Sequence, residues 1–314
     1  EKRKNVNKMK IIVTGGAGFV GSHLTELLIK NGHFPIIIDN LNTGKFSYIK
    51  KFVDEGKADF IKLDIRNFSK LMKLPKCSTV IHLAAIASVV ESIDNPSFVN
   101  DVNVNGTLNM LEFCRKKKIK KFIFTSSAAI FGNNESKIIE SSPTIPTTVY
   151  GSSKLTGEQY CRIYSELFGI TTIILRPFNI YGPRQNDTYA GVITKFMDRL
   201  KKKKPPIIFG TGKQTRDFIH VYDVAKAFLA SINYKKTKFE IFDLGTGKST
   251  SINTLAEYFL NNTKKHITGP IYRKAIPGIV IYNSMNNTKL KKNLGLTPSI
   301  SLKDGIFNLI NNKL

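Results

Sequence analysis

The run Thr14-Gly15-Gly16-Ala17-Gly18-Phe19-Val20-Gly21 stands between a short apolar stretch, Lys10 to Thr14, and a segment with helical spacing, Phe19 to Lys30. Few local patterns narrow a fold as far. Gly15 permits a tight strand-to-helix turn, Gly18 lets backbone approach a pyrophosphate, and Gly21 lets the helix pack closely on the sheet. Free N–H groups at the helix start then face the anion. A second apolar stretch, Pro35 to Asp39, ends in a carboxylate about twenty residues on, where an acid can accept from both hydroxyls of a ribose. That acid repels a 2′-phosphate, and Asn40 is not the arginine that would hold one, so the pattern predicts NAD rather than NADP. Asp64 ends a third such run and is a candidate to touch the adenine or, with Asn67, to cap a helix.

Further strand-like runs occur at Phe60 to Leu63, Thr79 to Leu83, Phe122 to Ser126 and Thr171 to Arg176, with helical segments at Pro96 to Lys117 and Val149 to Phe168. Asn95 before Pro96 reads as a cap and then an N1 proline. This alternation predicts an α/β fold with a Rossmann-type, doubly wound parallel sheet over residues 9–177. After that the rhythm breaks. Shorter helices at Ala190 to Leu200, Val221 to Asn233 and Ile252 to Asn261, and a Ser301-x-x-Asp304 capping pattern, predict a smaller C-terminal substrate-binding lobe over 178–314, with some segments returning to the first domain.

The chain has 314 residues, is 41% hydrophobic and carries a formal net charge of +25. That apolar content excludes a disordered chain and suits a large α/β core. Lysine runs at 116–118, 120–121 and 201–204 lack interleaved aromatics and read as solvated faces, so no specific nucleic-acid partner is expected. No apolar stretch has the length of a membrane span and no signal-peptide pattern opens the chain. Met9, directly before the first strand-like run, is a candidate start, with Glu1 to Lys8 polar and basic. Cys77, Cys114 and Cys161 form no CxxC and fit a reducing cytoplasm, and the five histidines lack ligand spacing, so no metal is expected.

Tyr150 and Lys154, four residues apart at the start of a helical segment, face one side. A neighbouring ammonium would draw the phenol down from about 10 toward working pH and make it a general base for a sugar hydroxyl.

These elements together resemble the extended short-chain dehydrogenases/reductases, and within them the UDP-glucose 4-epimerase-like group. The resemblance rests on Thr14 to Gly21, Asp39-Asn40-Leu41, Asp64-Ile65-Arg66, His82-Leu83-Ala84-Ala85 and Asn103-Val104-Asn105-Gly106-Thr107. It continues through Phe124 to Gly132, Tyr150-Gly151-Ser152-Ser153-Lys154, Arg176 to Gln185, Arg216 to Val221 and Leu244-Gly245-Thr246-Gly247. It implies a catalytic trio of Ser127, Tyr150 and Lys154, with Ser127 beside the reacting sugar oxygen and Lys154 also on the nicotinamide ribose. Along the cofactor it implies Gly15, Gly18, Phe19, Val20, Asp39, Asn40, Asp64, Ile65, Leu83, Ala84, Ala85, Asn103 and Pro177; along the substrate, Asn179, Val192, Arg216 and Asn283. Arg216 would grip a phosphate, unless it pairs with Asp217 or Asp223.

Within such a family the reaction turns on the two residues after the serine. A dehydratase is expected to carry an acid and a base there, and a decarboxylase a glutamate; here stand Ala128 and Ala129, with no titratable group. One proton acceptor and one hydride carrier are the minimum for 4-epimerisation through a transient 4-keto sugar. Two departures from the family pattern remain. Ala275 to Val280 lacks the charged nucleotide contact, for which Arg273 or Lys274 are substitutes, and Asn283, or Ser284 after a one-residue slip, is small enough to admit N-acetylhexosamines. The rival readings are a nucleotide-sugar dehydrogenase, reductase or dehydratase and, from another class, a non-catalytic NAD- or RNA-binding module. The resemblance also implies a homodimer through Pro96 to Lys117 and Val149 to Phe168.

Overall fold

The computed structural model describes residues 8–133, 137–139, 141–185, 191–263, 267–275 and 284–311. Six strands, β1 (Lys10–Thr14), β2 (Phe34–Asp39), β3 (Asp59–Lys62), β4 (Thr79–His82), β5 (Lys121–Thr125) and β6 (Thr171–Pro177), alternate with helices. Beyond them come short strands: β7 (Asn179–Tyr181), β8 (Ile207–Phe209), β9 (Thr215–Arg216), β10 (Phe218–His220), β11 (Phe239–Leu244), β12 (Thr250–Ser251) and β13 (Ile271–Arg273).

The main sheet has seven parallel strands in the order β11-β6-β5-β4-β1-β2-β3. Its direction of winding reverses between β1 and β4, and a crevice at such a reversal is where open α/β sheets bind ligands. Both faces are covered. Ile12, Ile38, Val80, Phe122 and Ile174 pack under Met110, Phe113 and Tyr164 on one side. Ile11, Val13, Ile81, Ile123 and Leu175 pack under Leu24, Leu28, Val224 and Phe228 on the other. Near-continuous apolar strands are what a doubly covered parallel sheet requires.

Several expectations change in detail. The segment Pro96 to Lys117 is helical but holds a π segment, Asp101–Asn105, between two α-helical stretches. Asn95 precedes the N1 proline, yet its amide donates back to Glu91 (2.9 Å) instead of capping. Lys121 is not on a solvated face: its ammonium donates to the carbonyls of Ser231, Ile232 and Tyr234 (3.3, 2.6 and 2.7 Å), closing the end of the helix Val221–Ile232. β11, not among the strand-like runs read from the sequence, joins the edge of the sheet from the second half of the chain. The remaining short strands pair in twos, β7 with β10, β9 with β12 and β8 with β13, over a separate cluster of Phe196, Phe259, Leu255 and Ile306. Ser301 caps the last described helix as its pattern predicts, accepting from the Asp304 amide at 3.1 Å.

The three cysteines are free and buried, and burial holds their thiols above the ordinary range, Cys77 at about 11. No helix among the described residues is long and apolar enough to cross a membrane.

Candidate active site

The loops at the carboxyl ends of β1, β2, β4, β5 and β6 enclose a cavity of about 650 Å³. Gly15, Gly18, Phe19, Val20, Asp39, Asn40, Asp64, Ile65, Leu83, Ala84, Ala85 and Pro177 line it, as do Ser127, Tyr150, Lys154, Asn179, Val192 and Arg216. Gly15 has φ +69°, and a Cβ there would stand 2.8 Å from the Ala84 amide nitrogen. The turns after β1 and β4 therefore touch with no room for a side chain. Gly21 answers to the turn itself rather than to the sheet, since its Cβ would lie 2.1 Å from the Gly15 carbonyl oxygen.

Asp39 is buried at the end of β2, and its carboxylate accepts from the amides of Ala17 (3.0 Å) and Leu41 (2.8 Å). Burial raises its pKa, opposed by those two bonds. The acid is thereby aimed into the cavity beside the Gly-rich turn, the arrangement that suits an unphosphorylated ribose. Asp64 also lines the cavity and is not a cap; Asn67 alone caps its helix. Arg66 and Asn40 hold the Asp64 carboxylate down at about 2.

Tyr150 and Lys154 rise from the first turns of the helix Val149–Phe168, whose start Thr148 caps. The Ser127 hydroxyl lies close enough to the Tyr150 phenol to favour its ionised form, and it accepts from the Ala129 amide (3.1 Å). The expected lowering of the phenol is absent. Burial raises it, Ser127 opposes, and the Lys154 ammonium rests instead 4.8 Å over the centroid of the Phe124 ring. Burial lowers Lys154 itself to about 8, with Cys161 and Glu158 opposing. Phe124 can lie under the helix because Gly157 has no side chain: a Cβ there would meet the ring at 2.5 Å.

Asn103 reaches the cavity only through its neighbours. Its carbonyl accepts from the Ile86 amide (2.8 Å), and its NH₂ donates to the Ile86 carbonyl and the Ser153 hydroxyl, both at 3.0 Å. Ser153 donates in turn to the Tyr150 carbonyl (2.8 Å), so one amide ties the loop after β4 to the helix that bears the tyrosine. Behind it, Thr107 donates to the Asn103 backbone carbonyl at 2.6 Å and therefore accepts from His82 Nε2 at 3.1 Å. That leaves His82 Nδ1 to accept from Thr14 at 2.7 Å, and Thr14 to accept from the Ala84 amide at 3.2 Å. Every donor in this row has one acceptor.

The row requires a neutral imidazole. Burial, aided by the charge of Lys154, lowers His82 from 6.5 to about 3. Below pH ~6.5 the unfolded chain binds a proton that the folded chain refuses, so this contribution to stability is present above that pH. It should drain away at about 1.4 kcal/mol per pH unit on descending toward about 3. Unfolding free energies in urea, measured against pH, should show a shallower acid slope for His82→Leu than for the parent; equal slopes would contradict the neutral assignment.

On the far wall, Asn179 donates to the Asp217 carbonyl (3.0 Å), and Arg216 faces the cavity with Gln214, Phe209, Phe218 and Ile252. Asp217 accepts from Thr246 and Gly247, and Asp223 from Ser299 and Ile300. The carboxylates that could have paired with Arg216 are thus engaged elsewhere. Arg273 and Lys274 are exposed and do not line the cavity. Asn283 lies outside the described residues, and the Ser284 carbonyl accepts from the Ile138 amide (2.9 Å). Lys45, Tyr48, Arg184 and Gln185 also line the cavity, and no motif had assigned them a role.

The hydroxyls of Thr125 and Ser126, residues that also line the cavity, are buried with no hydrogen-bond partner among the described residues. A dinucleotide turn, a strand-terminal acid and a Ser/Tyr/Lys trio on one cavity define a nicotinamide-dependent enzyme of the short-chain dehydrogenase/reductase type. Residues 11–245 match the family model described as "NAD dependent epimerase/dehydratase family". The chain is 43% identical to a putative UDP-glucose 4-epimerase of Methanocaldococcus jannaschii, covering 96% of this chain and 97% of that protein. Two solved structures superpose with a TM-score of 0.91. One is a UDP-glucose 4-epimerase of Thermotoga maritima with UDP-glucose, at 34% identity over 96% of this chain and 98% of that one. The other is a UDP-N-acetylglucosamine 4-epimerase of Methanobrevibacter ruminantium with UDP-N-acetylmuramic acid, at 32% identity over 98% of both. The chain belongs to the NAD-dependent epimerase/dehydratase family, and its cofactor is NAD.

Proposed function

We propose that this enzyme interconverts the C4 epimers of a UDP-hexose, UDP-glucose with UDP-galactose, and accepts the N-acetylated pair UDP-GlcNAc and UDP-GalNAc. The observation that carries the reading is the wall after β5. Ser127 and Tyr150 share the cavity wall, while Ala128 and Ala129 offer no acid or base for eliminating water. Residues 9–177 hold the cofactor in this reading, and 178–314 hold most of the substrate through Asn179, Val192 and Arg216.

Gly15, Gly18 and Asp39 would hold NAD, which when bound would supply reversible hydride transfer at C4 of the sugar. The protein handles the proton. Tyr150 accepts it from the 4-hydroxyl as the carbonyl forms and gives it back as the carbonyl is reduced, with Ser127 holding the oxygen throughout. Lys154, one helical turn on, supplies the positive charge that favours the phenolate. The outcome is redox-neutral.

The test is conversion of each UDP-sugar by purified enzyme, with the epimers separated and the absorbance of NADH monitored alongside. Epimer formation without net NADH supports the reading. Stoichiometric NADH would favour the dehydrogenase instead, and exclusion of both acetylated sugars would remove the wider specificity.

In the segments Pro96 to Lys117 and Val149 to Phe168, Phe98, Ile163 and Leu167 expose apolar side chains at 37, 42 and 70%. They support a homodimer through those helices, checked by mass in solution. Three buried free thiols suit a reducing cytoplasm.

A further inference from the structure

Arg184 is the cation on the cavity wall whose geometry is hardest to explain without a ligand. Its backbone lies at φ +66°, a left-handed conformation that is strained for a non-glycine residue. The preceding residue is pinned as well, since the Pro183 carbonyl bonds His23 Nε2 at 2.9 Å, fixing this loop against the helix Phe19–Lys30. The guanidinium then reaches between two anchors on the cofactor side of the cleft. Its Nη2 stands 3.4 Å from Glu26 Oε2, and its carbon lies 5.7 Å from the centroid of the Tyr48 ring.

Neither anchor uses the group fully. A distance of 3.4 Å is long for a charge-assisted bond, which closes to about 2.7–2.9 Å, and Glu26 already takes Lys30 at 2.7 Å. The other terminal nitrogen, Nη1, is covered from solvent and has no acceptor among the described residues. Arginine presents five donors in a fixed fork, and a buried donor left unmatched is costly. Arg184 shares the cavity wall with Gly18 and Phe19, the start of the helix whose free amides favour an anion. Among the described lining residues the other cations are placed differently: Lys154 sits on Phe124 beside Tyr150, Arg216 is on the far wall, and Lys45 lies 5.8 Å over the outer ring of Tyr48.

We propose that Arg184 is a latch from the second half of the chain across the diphosphate of the bound dinucleotide, its guanidinium turning from the long Glu26 contact onto the phosphate oxygens. The proposal rests on the cavity holding NAD in the orientation given above. It gives the strained backbone a purpose, which is to turn the side chain back over the cleft. It also ties cofactor retention to a loop lying between β7 and the helix Val192–Lys201 rather than to the Gly-rich turn alone.

Calorimetric titration of the full chain with NAD, and separately with UDP, tests it. Arg184→Gly removes the fork and relieves the backbone; Arg184→Gln keeps a side chain of similar reach. Both should weaken NAD binding about tenfold or more and leave UDP binding unchanged, while Glu26→Gln leaves both unchanged. Three outcomes would overturn the latch: NAD affinity unaltered in both Arg184 variants, UDP weakened in place of NAD, or Glu26→Gln matching the arginine variants, which would make Arg184 a strut. A parent protein that binds no NAD would defeat the cofactor reading itself and is told apart by that control.

Discussion

The Tyr150→Phe protein is expected to turn over a UDP-hexose about 10² to 10⁴ times more slowly than the parent, the span a positioned general base contributes. The change removes one oxygen from a ring whose position is set independently. The Thr148 cap, the Asn103–Ser153 tie and the helix on Phe124 are all untouched. NAD affinity should therefore hold while kcat falls. Burial raises the phenol, and Lys154 rests on Phe124 rather than against it. Single-turnover rates for parent and variant, with bound NAD counted in each, decide the matter, and an unslowed variant would end the account of Tyr150 as the base.

The largest effect on stability is expected at Arg176. Its guanidinium donates to both oxygens of Glu158 (2.8 and 2.7 Å), stands 3.6 Å from Asp243 and lies over the Phe131 ring. The side chains of Arg176, Glu158 and Asp243 are at most 8% exposed. Arg176→Met would leave two carboxylates buried without their cation, a loss of about 3–5 kcal/mol. Against a total of about 5–15 kcal/mol, that threatens folding at growth temperature. Replacing all three residues by apolar ones of similar volume should cost far less, since no charge is then stranded. Denaturant unfolding of the single and triple variants makes the comparison; if the single change costs under about 1 kcal/mol, the cluster is wetter than described.

Where residues act locally, the sequence was easy to read. The helices Phe19–Lys30 and Val149–Phe168 and the strand Lys10–Thr14 have their expected ends, because a glycine turn, a threonine cap and the terminal Gly169 mark them. The cavity likewise gathers Ser127, Tyr150, Lys154, Asp39 and Arg216 from segments far apart along the chain. What escaped depends on distant partners. β11 reads Phe-Glu-Ile-Phe-Asp-Leu, and its two acids disguise a sheet strand until Arg176 and Lys289 are seen to meet them. Lys121 looks like one more surface lysine until three carbonyls from a helix end about a hundred residues later surround it. Arg184 was visible only as part of a family motif, because its role depends on Tyr48 and Glu26 across the cleft.

β11 has one more implication. The edge of the nucleotide-binding sheet is supplied by residues 239–244, beyond most of the segment that lines the substrate wall. A fragment stopping at residue 177 would bare the flank of β6 as an open template for aggregation and leave Arg176 without Asp243. Chimeras that graft a relative's sugar pocket onto this chain must therefore resume the native sequence before Phe239. The two halves are interleaved, and evolution could exchange loops here far more readily than it could exchange lobes.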